Sequence, residues 1–187
     1  MHEVYNPRLS LTAEIASAET EILAEAQRIV DETTSLYNVA PISVVLRDTA
    51  DVAGEWLLAT RTVILRTSTL ADAAWRAVFA HEVGHALRGD GHDALTDEQS
   101  QQCELDATAL GVEVLVRIVG LSLREAVECC VDAIRGLKER IETREVKLLP
   151  GDPDPDLMIR DLLGRFPEVS EPLDVAAGEG VGLHVGE

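Results

Sequence analysis

The chain has 187 residues, 46% of them hydrophobic, which is enough for one domain around a single core. Its 34 acidic side chains outnumber 16 basic ones, for a formal net charge of −18, and such a surface argues against direct contact with nucleic acid or anionic lipid. Aromatic residues make up only 3% of the chain, too few for a platform on which single-stranded bases could stack.

In chain order, Ile15, Ile22, Ala26, Ile29 and Val30 recur at three- and four-residue steps and predict a helix over about 12–36, stopped by Asn38 and Pro41. After Pro41 the period falls to two. Ile42, Val44 and Leu46 alternate with Ser43, Val45 and Arg47, the pattern of a strand. Two further short strands are expected over 56–59 and 62–66, and the short connections imply a small antiparallel meander. Thr69-Leu70-Ala71-Asp72 resembles a helix N-cap, and helical composition continues to Arg88, before Gly89. Thr96-Asp97-Glu98-Gln99 is a capping box that opens the next helix, running to about Val119, and Ser122-Leu123-Arg124-Glu125 opens another. In that last helix Leu123, Val127, Cys130, Ile134, Leu137 and Ile141 form the stripe of a packed face. Five of the seven prolines lie between Pro150 and Pro172. Residues 150–187 therefore read as an acidic, Pro- and Gly-rich tail, largely flexible, with one short docking helix over 157–166. The fold class expected is α+β, with residues 1–149 as the domain.

Three cysteines, Cys103, Cys129 and Cys130, do not make a disulfide framework and fit a reducing compartment. The first residues lack the basic and apolar stretches of a signal peptide, and no apolar run nears the ~20 residues of a membrane span. A soluble, cytoplasmic protein is the expectation.

One motif carries chemistry: His81-Glu82-Val83-Gly84-His85, inside a predicted helix. Four residues turn a helix by about 40° past a full turn and rise about 6 Å, so both imidazoles leave one face and can converge on one ion. Glu82 sits beside them as a general base rather than a ligand. A hydrolytic zinc site needs a third protein ligand. In an antiparallel hairpin of the two helices, Glu104 stands level with His81, and Ala107, Thr108 and Gly111 on its face are small enough for close approach. Asp106 points about 200° away from Glu104, Glu113 lies too far along, and Cys103 reads as a packing residue. His92, in the loop after the motif, remains the alternative third ligand. Thr108 is a candidate to orient a ligand imidazole.

His81-Glu82-Val83-Gly84-His85 followed by Glu104-Leu105-Asp106-Ala107 resembles the gluzincin pattern of His-Glu-x-x-His and a downstream Glu-x-x-Ala. The short gap between them, the preceding helix and small sheet, and Ala77-Val78-Phe79-Ala80 before the motif are similar to the ImmA/IrrE family. Gly54-Glu55-Trp56 followed by Val63-Ile64-Leu65 resembles that family's glycine–aromatic turn and edge strand. The resemblance spans about residues 12–120 and implies a zincin-like minimal metallopeptidase. It also implies a protein substrate, for which a helix-turn-helix repressor is the family's usual example. The helix after 122 and the acidic tail have no counterpart in it.

The expected function is thus zinc-dependent endopeptidase action on a protein or peptide. Zn2+ would be held by His81, His85 and Glu104, and Glu82 would take a proton from the attacking water. An extended peptide would pair with the edge of the 62–66 strand. His92, Tyr37 and Tyr5 are candidate second donors to the oxyanion. Two competing expectations are a metal-stabilised interaction module without turnover, and a peptidase covered by its own tail.

Overall fold

In the computed structural model the described residues are 7–47, 53–67, 74–89, 95–148 and 150–169, with the side chains of 7–18 outside that description. Helix α1 (Pro7–Tyr37) begins five residues before the expected start, with proline at its first position, where no hydrogen bond is lost. It ends where Asn38 turns left-handed at φ 51°. Its stripe Ala26, Ile29 and Val30 is fully buried, as the periodicity predicts.

Strands β1 (Ser43–Arg47), β2 (Gly54–Leu57) and β3 (Thr62–Arg66) form one sheet in the order β1-β3-β2. β2 and β3 are antiparallel, Trp56 opposite Val63, but β1 and β3 are parallel, Val44 opposite Val63. The antiparallel meander is therefore corrected to a mixed sheet. β3 takes the centre because Val63, Ile64 and Leu65 are all buried, an unbroken apolar run that needs cover on both faces. β2 lies two residues earlier than expected, since residues 58–61 form the turn and Arg61 is left-handed at φ 49°. β2 and its turn lie between β1 and β3 in the chain, as part of the crossover that a parallel β1–β3 pair requires.

Helix α2 (Trp75–Arg88) lies against β2 and β3 and packs most extensively on α3 (Asp97–Val114). The cap expected at Thr69–Asp72 lies outside the described residues. Gly89, left-handed at φ 72°, closes α2, and the Thr96–Gln99 capping box opens α3 in both directions. Arg76 of α2 reaches Glu25 of α1 through two bonds of 2.9 Å. α3 runs into a single π turn, Leu115–Val119, that stops at Gly120 with φ 85°. The Ser122 capping box then opens α4 (Leu123–Glu142).

The segment after residue 149 is not all tail. Helix α5 (Pro155–Arg165) forms where a docking helix is expected and continues into a 3-10 turn, Pro167–Val169. Met158, Leu162 and Val169 from this segment are buried in the common core. Lys138 of α4 holds Asp156 of α5 at 2.8 and 2.9 Å. Among the described residues no helix is long and apolar enough to cross a membrane.

Candidate metal centre

Helix α2 approaches α3 so closely because Gly84 has no side chain. A Cβ there would stand 2.2 Å from the Ala107 carbonyl oxygen, inside any permitted contact. Ala107 and Gly111 supply the matching small surface on α3, where a Cβ at Gly111 would already crowd the Ala80 and His81 backbone at 3.1 Å. That approach brings Glu104 opposite the two histidines of α2, as the hairpin geometry predicts.

His81 Nε2 lies 3.1 Å from Glu104 Oε2 and 3.1 Å from His85 Nε2, and His85 Nε2 lies 3.4 Å from Glu104 Oε1. Two ligands on a tetrahedral zinc at about 2.0–2.1 Å stand about 3.3 Å apart. The three separations match that spacing. His81, His85 and Glu104 form a group that could hold a metal ion. His85 is 2% exposed, and His81 and Glu104 are partly open to solvent on one side.

The other nitrogen of His81 is fixed by Thr108. The Thr108 hydroxyl donates to the Glu104 backbone carbonyl at 2.9 Å, which uses its only hydrogen. It must then accept from His81 Nδ1–H, 3.1 Å away, which turns Nε2 toward the cluster. This is the orienting role proposed for Thr108 from its place one turn beyond Glu104.

Electrostatics follow from burial and proximity. Burial works against a charged His81, but the bond to Glu104 and the charges of Glu82 and Glu104 outweigh it, and its pKa is raised. Burial likewise opposes ionisation of Glu104, yet hydrogen bonds from His81 and His85 hold its carboxyl well below the usual range. Glu82 is 8% exposed and does not join the cluster. Burial pushes its carboxyl up to about 7, with His81 and the Trp56 N–H pulling down and Glu104 and Glu55 pushing up. Such a value suits a group that must both take and return a proton near neutral pH.

No protein-family model matches this chain, and no curated protein or solved structure matches it. Its chemistry rests on its own geometry.

The remaining sequence candidates fall elsewhere. His92 and Tyr5 lie outside the described residues. The Tyr37 hydroxyl donates to Glu113 at 3.4 Å, which commits both to the far end of α3. Asp106 turns away as expected and anchors Arg88 and Arg165. Cys103 is buried beside that pair rather than in the cluster.

Three features escape the sequence reading. First, the strand beside the site is β2, not β3: a Cβ at Gly54 would meet Glu82 Cγ at 2.9 Å, and the Trp56 N–H bonds the Glu82 carboxyl. The peptide-pairing edge assigned to 62–66 is thereby corrected, because β3 has a strand on each side. Second, His81, Glu82 and Glu104 open into a cleft of about 510 Å³. Third, its far wall is built from α4 and from Val146, Lys147, Leu148, Asp152 and Pro153. The apolar stripe of α4 reads as packing, but its Cys130, Ile134 and Leu137 line this cleft. The one available signal was Gly136, a helix-interior glycine on a different face from the stripe.

Proposed function

We propose that the chain is a zinc-dependent peptidase of the ImmA/IrrE type, acting on a protein or peptide through His81, His85, Glu104 and Glu82. The observation that carries this reading is the convergence of two imidazoles and one carboxylate at zinc-like spacing, beside a buried carboxyl that is not a ligand. A purely structural site has no use for that fourth group. Two nitrogen donors and one oxygen suit zinc, which would polarise a peptide carbonyl and acidify a water there.

The protein's own groups do the rest. Glu82, held by the Trp56 N–H, takes the proton of the attacking water and hands it to the departing amine. Thr108 keeps His81 in the tautomer whose Nε2 faces the centre. β2, the strand edge next to Glu82, replaces β3 as the strand along which an extended peptide would lie.

Elemental analysis and peptide-library cleavage on three proteins test the reading. Zinc-loaded wild type should carry one ion per chain and cleave. Glu82→Gln should keep the ion and lose about 10²–10⁴-fold in rate. Glu104→Ala should lose the ion, and His92→Ala should not. A wild type that binds zinc fully but cleaves no peptide would instead favour a metal-stabilised interaction module.

A further inference from the structure

We infer that α4 and the segment after it form a specificity pocket for a large apolar side chain next to the scissile bond, a deepening that rests on the peptidase reading. Ala133, Gly136, Leu137 and Arg140 follow one another at three- and four-residue steps, so they share one face of α4, and all four line the cleft that holds His81, Glu82 and Glu104. Cys130 and Ile134, only 4% and 5% exposed, also line it, and buried Met158 of α5 lines the same cleft. The surface they offer is apolar, concave and continuous with the candidate metal centre.

Gly136 supplies the independent observation. Glycine inside a helix is costly, and its usual excuse is close packing against a neighbour. Here a Cβ would meet nothing within 4 Å, in contrast to Gly84 and Gly54. Its missing side chain leaves room on the cleft face, and room is what an incoming side chain requires. A volume of about 510 Å³ is within the range of ligand pockets, and beside Glu82 it holds an isobutyl or benzyl group with the adjoining backbone. The occupant is therefore an apolar residue of the substrate. Apart from the residues of the candidate centre, the charged lining is two of each sign, Arg140 and Lys147 against Glu139 and Asp152, so charge does not select the occupant.

The test uses the zinc-loaded full chain and succinyl hydroxamates, which chelate the metal, carrying hydrogen, methyl, isobutyl or benzyl beside the chelating group. Calorimetry reads their affinities without turnover. The isobutyl or benzyl compound should bind about ten- to a hundredfold tighter than the unsubstituted one. Gly136→Leu should shrink that preference to about twofold while the unsubstituted compound binds as in wild type. Ala133→Leu, on the same face, should do the same and serves if the first variant does not fold. Equal affinity for all four compounds in wild type overturns the pocket and leaves the metal centre standing. No hydroxamate binding by zinc-loaded protein overturns both, and the two failures are thereby distinguished.

Discussion

A single hydroxyl decides how His81 presents itself. Because the Thr108 hydrogen goes to the Glu104 carbonyl, the oxygen can only accept from Nδ1–H, and Nε2 is the nitrogen turned toward the cluster. Thr108→Val keeps shape and burial but removes that acceptor. It should weaken zinc affinity tenfold to a hundredfold in a chelator competition, and Thr108→Ser should restore most of it. Unchanged affinity in the valine variant would remove Thr108 from the site's design. Glu82 makes a second prediction, in the metal-free protein. Its carboxyl titrates near 7 when folded against about 4.3 when unfolded, so between those values the folded state holds the extra proton. Its contribution is present below pH 4 and is lost as the pH rises through 7. Denaturation of metal-free wild type and Glu82→Gln should therefore diverge from pH 5 to pH 8. The glutamine variant should gain on the order of 2–3 kcal/mol relative to wild type. A gap that does not change with pH would mean that Glu82 is ordinarily hydrated.

At the scale of the elements, two glycines in two helices have opposite reasons. Gly84 lets α2 touch the α3 backbone, whereas Gly136 faces open space on α4. Gly84→Ala should destabilise by at least about 2–3 kcal/mol, since the new methyl group meets a carbonyl oxygen rather than a yielding side chain. It should weaken metal binding as well, because Glu104 rides on the displaced helix. Gly136→Ala should stabilise by about 0.5–1 kcal/mol through helix propensity alone. Thermal and urea denaturation of both variants check the pair, and effects of the same sign would contradict the geometry. The helices themselves were legible because their signals are local: both capping boxes form as written, and the 3–4 stripes of α1 and α4 mark real faces. The strands were only partly legible. Alternation found β1, but the order β1-β3-β2 depends on which strand needs cover on both sides, and the unbroken Val63-Ile64-Leu65 run was the clue.

For the molecule as a whole, the segment after residue 149 is part of the structure as far as it is described. α5 packs on α3 and α4, and Arg165 reaches Asp106 at 2.8 Å across the fold. Leu162, 1% exposed, should cost about 2–4 kcal/mol when changed to alanine. Asp156→Ala, which breaks only the exposed Lys138 pair, should cost less than about 1 kcal/mol. Comparable losses from the two would mean that α5 is not docked through its apolar side. Since Met158 also lines the cleft, loosening α5 should reach the pocket as well as the core.

By itself the sequence determined the helical rods, the capping boxes of α3 and α4, and the placing of His81 and His85 on one face, because those depend on neighbours within a turn or two. It also pointed to Glu104, since two helices joined by a short loop bring equal heights together. The strand order, the bond from Trp56 to Glu82, and the cleft wall that α4 shares with 146–148, Asp152 and Pro153 were decided only by tertiary structure. These depend on which distant apolar surfaces bury one another, and composition says how much there is to bury but not against what.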